Sequence, residues 1–206
     1  MSELRSFICI DKLQPQTMSY MATWISGSLP RMNVAAQIIE IAPGQDIEYI
    51  TDIALKYGRV QAGILIVERQ FGYLEFHSES IAEVRAAAQA VLDTLNLDIN
   101  SVIKPQIFGS KIITNIDEQH AYLINRNRKG SLLLKGESVF LMEVQPASYA
   151  ILACNEAEKQ AQVKVIDYRM IGANGRVYLA GTEAEMQNAR QAAENALAQI
   201  AKGINS

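Results

Sequence analysis

The sequence repeats itself, and this constrains its fold more than any other feature. A shift of 103 positions aligns five identical residues in the first part of each copy: Glu40 with Glu143, Pro43 with Pro146, Ala54 with Ala157, Lys56 with Lys159 and Val60 with Val163. A shift of 105, as if two residues were inserted, aligns a later set: Tyr73–Leu74 with Tyr178–Leu179, Arg85 with Arg190, Ala87–Ala88 with Ala192–Ala193 and Leu92 with Leu197. In a chain of 206 residues, the repeat predicts two domains, which we place at 1–101 and 102–206.

The composition fits two folded domains in the cytoplasm. Hydrophobic residues make up 49% of the chain and charged residues 20%, which is enough apolar content for two cores. No apolar run is long enough for a membrane span, and the N-terminus lacks the pattern of a signal peptide. The net charge of −3 gives no reason to expect nucleic acid as a partner. We therefore expect neither a membrane nor a nucleic acid to be bound.

The residues that most often carry catalysis or bind metal are few. Cys9 and Cys154 lie in apolar stretches and are typical of buried thiols, with a disulfide as the alternative. His77 and His120 lie in non-equivalent parts of the two copies, and neither has a second ligand at the spacing that zinc requires. The sequence therefore predicts no catalytic residue, no metal and no cofactor.

Both copies show the same predicted order, β-α-β-α-β-β-α. The first copy has predicted strands at 4–10, 36–41, 60–67 and 71–77 and helices at 16–25, 46–57 and 80–95. The second has strands at 107–114, 138–144, 163–170 and 176–180 and helices at 117–127, 147–161 and 183–202. The last helices begin with capping-box spacings, Ser80 with Glu83 and Thr182 with Glu185. We predict an α+β, ferredoxin-like fold: two four-stranded antiparallel sheets, each with its helices on one side, joined by a linker at 96–105.

Three segments carry a resemblance to a known family. Residues 52–60 (DIALKYGRV) and 155–163 (NEAEKQAQV) each place a lysine near a helix end before a Val-rich strand, and 171–175 (IGANG) is a Gly-rich turn. In this order they resemble the bacterial microcompartment (BMC) shell domain. In the simplest members the unit begins at the strand found here near residue 36, whereas here a strand and a helix precede it. The chain therefore resembles the tandem, circularly permuted shell proteins that form trimers.

The resemblance implies partners, a location and a function. It implies a homotrimer in the form of a pseudohexameric tile, with two trimers stacked face to face as a further possibility. It also implies contacts with other carboxysome shell proteins in the shell of the β-carboxysome. The tile would have a central gated pore for larger phosphorylated metabolites, such as ribulose bisphosphate or 3-phosphoglycerate, and no enzymatic activity.

Two charged residues are the predicted gate of that pore. In the alignment shifted by 105, Glu68 and Arg69 fall opposite Ala173 and Asn174, so large charged side chains replace small ones. The resemblance implies that they close the pore, with the small turn from Gly172 to Gly175, including Ala173 and Asn174, lining the alternate positions. An ordinary surface ion pair, worth about 0–1 kcal/mol, is the alternative for the gate. A phosphate cradle is the alternative for the turn, although its spacing fits no known phosphate loop.

Lys56 and Lys159 are the predicted tile edges. The family's lysine at this position lies against its copy across the seam between neighbouring tiles, which its long stem and three donors allow. The alternative is a lysine that interacts with the carbonyl end of its own helix.

A function of a different class is also compatible with the sequence. A cytosolic small-molecule sensor or enzyme could be built on a duplicated ferredoxin-like fold, with its ligand between the copies. Assembly into flat lattices distinguishes a shell tile from such a protein.

Overall fold

Two units of the same architecture make up the chain. The computed structural model describes residues 2–203. One unit ends at Lys104 and the other spans Pro105–Lys202. We had placed the boundary three residues earlier, and the last three residues of the predicted second domain lie outside the described residues. Within the described residues, each unit contains four strands and three α-helices.

The elements follow the predicted order in both units. The first unit consists of β1 (Glu3–Ile10), α1 (Pro15–Met21), β2 (Ala35–Ala42), α2 (Asp46–Tyr57), β3 (Gln61–Glu68), β4 (Phe71–Ser78) and α3 (Ile81–Leu95). The second consists of β5 (Gln106–Ile113), α4 (Glu118–Asn125), β6 (Ser138–Gln145), α5 (Tyr149–Gln160), β7 (Lys164–Arg169), β8 (Gly175–Gly181) and α6 (Glu183–Ala201). Helix α1 ends four residues before the predicted end at 25. The predicted linker contains a short 3₁₀ turn, Ile99–Ser101.

Each sheet is antiparallel, with strand order β1-β2-β4-β3 in the first unit and β5-β6-β8-β7 in the second. The prediction that all helices cover one face is wrong. In the first unit, α2 and α3 pack on Ile39 and Ile41, whereas in the second α4 packs on Val139 and Leu141. A shift of 103 equates Leu141 with Ile38, which lies on the face opposite Ile39 and is fully buried. Seven of the eight residues of β2 are buried, so both of its faces are covered.

Strand pairing corrects the register of the repeat. Gly72 lies opposite Ile41 and Gly175 opposite Val144, so the shift is still 103 at this point and no two residues are inserted. In the last helix of each unit, the buried positions of α3, at 84, 87 and 91, correspond to those of α6, at 186, 189 and 193. The shift is 102 here. The alignment by 105 is therefore wrong. It differs from the true one by two residues in the strands, which keeps the alternation of faces, and by three in the last helices, nearly one helical turn, which preserves the apolar pattern of an Ala-rich helix.

The capping boxes form only in part. The Ser80 side chain makes no capping hydrogen bond, whereas Thr182 Oγ1 accepts from the backbone N–H of Glu185 at 3.3 Å. Neither glutamate completes the box. Glu83 accepts instead from the backbone N–H of Arg59 at 3.0 Å, and Glu185 from that of Gln162 at 2.8 Å. Each carboxylate thus links the last helix of its unit to the residues that follow the preceding helix.

The cysteines are free thiols in different units. Cys154 is buried as predicted, whereas Cys9 is only half-buried. Burial raises the pKa of the Cys9 thiol, and Arg85 opposes this effect. In the described part of the chain, no helix is long and apolar enough to cross a membrane. Among the same residues, no cluster of His, Cys, Asp and Glu has the composition of a metal site.

Candidate functional site

Glu68 and Arg69 lie at the tip of the β3–β4 hairpin. Glu68 is the last residue of β3 and pairs with Phe71, the first of β4, so Arg69 and Gln70 alone form the turn. Arg69 has a φ of 56°, the left-handed conformation that two-residue hairpin turns favour. Its side chain is 91% exposed and that of Glu68 is 47% exposed. The tight turn therefore holds two adjacent opposite charges at the end of the sheet.

The two charges attract each other only weakly within one chain. Arg69 Nε lies 3.6 Å from Glu68 Oε1, beyond hydrogen-bonding distance. An ion pair this exposed contributes about 0–1 kcal/mol, because water screens it and two long side chains lose freedom. Neither side chain is held in one position, and both are accessible to a neighbouring molecule.

The equivalent hairpin of the second unit ends in a longer loop. Strand β7 ends at Arg169 and β8 begins at Gly175, so five residues connect them. With the corrected shift of 103, the counterparts of Glu68 and Arg69 are Ile171 and Gly172, not Ala173 and Asn174. Gly172 has a φ of 125°, so the left-handed position is kept while the arginine is not. The predicted match with two small residues is therefore wrong: Arg69 does face a glycine, but the counterpart of Glu68 is Ile171, a large apolar residue.

Polar contacts anchor the second loop to its sheet. Asn174 Nδ2 donates to Glu143 Oε1 at 2.7 Å, and Arg176 Nη2 lies 3.5 Å from the same oxygen. The Asn174 hydrogen bond and the Arg176 charge hold the pKa of Glu143 below its usual range. Gly175 is buried, and a Cβ there would overlap the carbonyl of Ala147. Asn174 and Gly175 thus fix the end of the loop.

We expect Asn174→Ala to raise the pKa of Glu143 towards the ordinary carboxyl value, because the largest stabilising contact of the carboxylate is removed. Since the folded-state pKa is lowered, the contact stabilises the loop above the ordinary pKa of about 4.3 and is lost as the pH falls through the lowered value. Carbon-13 NMR titration of the Glu143 carboxyl measures the change, with Ala173→Ser as the matched control. An unchanged titration in Asn174→Ala would contradict the anchor.

Lys56 and Lys159 occupy equivalent places on their helices but differ in exposure. Each lies in the last turn of α2 or α5, and both helices end in extended residues, with φ of −138° and −142°. Lys56 Nζ is 2.5 Å from Asp52 Oδ2, and its side chain is 67% exposed. Lys159 Nζ is 2.7 Å from Glu156 Oε1, and its side chain is 20% exposed. The hydrogen bond that Lys56 donates to Asp52 raises the pKa of Lys56.

Sequence reasoning missed one buried polar pair. His77 Nδ1 lies 2.8 Å from Glu75 Oε1, and both side chains are at least 95% buried. Burial raises the pKa of the Glu75 carboxyl, and His77 opposes this effect. The available signal was their spacing of two in a strand, which places both on one face of the sheet.

Comparison with known proteins agrees with this architecture. Residues 4–101 match the family model described as the CsoS1D N-terminal domain, and residues 138–206 match the BMC domain. The chain is 45% identical to the carboxysome shell protein CcmP of Synechococcus elongatus, over 95% of this chain and 92% of that protein. It is 42% identical to the carboxysome shell protein CsoS1D of Hydrogenovibrio crunogenus, over 97% of this chain and 98% of that protein.

A solved structure extends the comparison. The fused permuted hexameric shell protein MSM0275 from the RMM microcompartment superposes with a TM-score of 0.94 and is 65% identical, over 97% of this chain and 98% of that one. The predicted tandem, permuted arrangement is therefore confirmed. With two such units and relatives of this similarity along nearly its whole length, the chain belongs to the bacterial microcompartment shell proteins.

Proposed function

We propose that three copies of this chain form a pseudohexameric shell tile whose central pore is gated by Glu68 and Arg69. One observation carries the proposal: the two units are equivalent in fold, but their corresponding hairpins end in Arg69 in one and Gly172 in the other. A ring of six such tips from three chains would alternate large charged and small ends, which makes the centre threefold. The trimer is supported by a 38% identical solved relative, the double ringed trimeric shell protein MSM0271, which also makes stacking of two trimers plausible for this chain.

The gate would work by movement of side chains. Three carboxylates and three guanidinium groups at one constriction can pair across subunits, because the planar Arg fork matches a carboxylate. The pairing within one chain is weak at 3.6 Å, so it competes little with pairing across subunits. If the closed and open arrangements differ by only a few kcal/mol, both are populated.

The charges also bear on what passes. When the ion pairs separate, three Arg69 and three Glu68 side chains remain at the constriction, and the released guanidinium groups favour phosphate and carboxylate oxygens. Phosphorylated metabolites such as ribulose bisphosphate and 3-phosphoglycerate fit this chemistry. The opposite tips, with Gly172 and Ala173, add little bulk and leave the opening wide.

Two compartments are candidates for the tile. The 45% and 42% identical relatives named above are carboxysome shell proteins, which supports a carboxysome shell. The 65% identity to a shell protein of the RMM microcompartment favours that compartment as the second candidate. The shell proteins that co-purify with the chain from its own cell distinguish the two.

We expect the assembly to contain a multiple of three chains and Arg69→Ala to leave its pore open in every molecule, because the pairing cation is gone. Analytical ultracentrifugation and structures of the assembled wild type, Glu68→Ala and Arg69→Ala measure both. Gln70→Ala, the other residue of the same turn, is the matched control and should behave as the wild type. A stable monomer, a dimer without a threefold axis, or a pore that closes identically in Arg69→Ala would disprove the gate.

A further inference from the structure

The first unit contains a cavity that the proposed pore does not use. Its volume is about 500 Å³, within the range of sites for small molecules. Residues of the loop before β2 and of the adjacent ends of β3 and β4 line it, and they include Arg31, Arg59, Gln61 and His77. The hairpin tip with Glu68 and Arg69 lies at the other end of β3, so the two sites are separate.

His77 lines the cavity and carries an unsatisfied polar atom. Its ring is 95% buried, and Nδ1 is 2.8 Å from Glu75 Oε1. Nε2 has no hydrogen-bond partner among the described residues and is buried. A buried polar atom without a partner destabilises the fold, and a ligand that bonds to it would remove this cost. With Nδ1 engaged by Glu75, Nε2 is the nitrogen left to bond a hydroxyl, or an oxyanion when the ring is protonated.

Two arginines give the cavity a positive balance. Arg31 and Arg59 both line it, and the carboxylate of Glu79 is the one acidic group among the lining residues. Arg31 Nη1 lies 3.4 Å from Glu79 Oε1, and both side chains are at least 80% exposed, so this contact is weak and open to competition.

The second unit shows what the same place looks like when it is filled. Strand pairing makes Lys164 the counterpart of Gln61 and Ala180 the counterpart of His77. Matching backbone hydrogen bonds, from Leu13 to Val34 and from Ile116 to Glu137, make Glu137 the counterpart of Val34. Lys164 Nζ lies 2.6 Å from Glu137 Oε2 and donates to the Leu132 carbonyl at 2.8 Å.

The second copy thus lacks the two arginines and the histidine, and its one cation at this place, Lys164, is paired with Glu137. The shift of 103 puts Leu134 at the place of Arg31 and Gln162 at that of Arg59. An internal ion pair of Lys164 and Glu137 occupies the position where the first copy has two uncharged residues. The repeat itself therefore provides a closed form of the site for comparison.

We infer that the first-unit cavity binds a small hydroxylated oxyanion, its phosphate or carboxylate held by Arg31 and Arg59 and its hydroxyl by His77. The recognised chemistry is the oxyanion beside a hydroxyl, and phosphate and carboxylate compounds both present it. Glu75 is a positioning residue that orients the imidazole through Nδ1. The inference is independent of the gate, since it uses no residue of either hairpin tip.

Isothermal titration of the assembled full-length protein with glycerol 3-phosphate tests the inference. We expect one site per chain and a loss of affinity of about tenfold or more in Arg59→Gln, because a charge-assisted pair is removed and the second copy's residue takes its place. His77→Ala, which also installs the second copy's residue, should weaken glycerol 3-phosphate but not inorganic phosphate, which has no carbon-bound hydroxyl. Binding of inorganic phosphate or of glycerate alone identifies which oxyanion is preferred.

The ion pair of Lys164 and Glu137 in the second unit suggests the most decisive variant. Val34→Glu with Gln61→Lys should fill the cavity with an ion pair and abolish binding, whereas Lys164→Gln in the second unit should leave binding unchanged. Glu68→Ala should also bind as the wild type, which separates failure here from failure of the gate. Absence of binding at millimolar glycerol 3-phosphate, or equal affinity in Arg59→Gln and the wild type, would overturn the inference. If the double variant Val34→Glu with Gln61→Lys does not fold, the single variants Arg59→Gln and His77→Ala decide the result.

Discussion

Replacing both Lys56 and Lys159 with alanine is expected to abolish the growth of tiles into extended sheets while the individual oligomers stay intact. Both lysines end equivalent helices in equivalent backbone conformations, so a trimer would present the same lysine on all six edges. A long apolar stem and three donors on Nζ can bridge to carbonyls of the next tile. Because each tile has six such edges, small losses at every seam add up to loss of the lattice.

Electron microscopy of assembled material measures the extent of the sheets. Sedimentation measures whether the individual oligomers stay intact. Lys159 is 20% exposed and paired with Glu156 in its own chain, whereas Lys56 is 67% exposed. We therefore expect the single variant Lys56→Ala to lose more lattice than Lys159→Ala, because its side chain is freer to reach a neighbour. Lys135, which is 69% exposed and paired with Glu118, supplies the control Lys135→Ala. Sheets of normal extent from the double variant would refute the edge role.

Arg5→Met is expected to lower the free energy of unfolding of the first unit by about 3–5 kcal/mol, the typical cost of breaking a buried ion pair by removing one of its members. Arg5 Nε lies 2.7 Å from Glu40 Oε1, and the side chains are 9% and 0% exposed. Arg5 also lies over the Phe71 ring, 3.8 Å from its centroid, which adds a cation–π contact. Glu40 stays buried in the central strand β2 and cannot move to water when the arginine is lost.

Chemical denaturation at fixed protein concentration measures the loss. The double variant Arg5→Met with Glu40→Gln removes the stranded charge and should recover a large part of the stability. Lys135→Ala, which breaks an exposed pair, should cost below about 1 kcal/mol. If Arg5→Met proves as stable as Lys135→Ala, the buried pair does not stabilise the fold.

The repeat illustrates where sequence reasoning succeeds and fails. The order of strands and helices was predicted correctly, because hydrophobic periodicity and the Pro and Gly positions are local signals. The match of Arg85 with Arg190 was wrong, because an Ala-rich amphipathic helix looks nearly the same after a slip of three residues. Strand pairing removes this freedom, since every backbone hydrogen bond of β4 and β8 fixes one register.

The predicted site shows the same difference between what local sequence signals reveal and what only the tertiary structure reveals. Glu68 and Arg69 were proposed as the gate from the sequence, and their place at a two-residue turn follows from a short break between strands. Their true counterparts, Ile171 and Gly172, required the pairing. The cavity at His77 could not be predicted, because Arg31, Arg59 and His77 come from three separate segments that only the fold brings together.

The sequence by itself thus determined that the chain has two copies of one α+β unit and that their lysines match while their hairpin tips differ. These are properties of residue order and composition, which a repeat exposes directly. The tertiary structure alone decided which residues of the copies correspond, that Arg5 neutralises Glu40, and that one copy keeps open a cavity which Lys164 fills in the other. Such properties depend on contacts between residues far apart in sequence. Two units of the same fold can form different contacts of this kind.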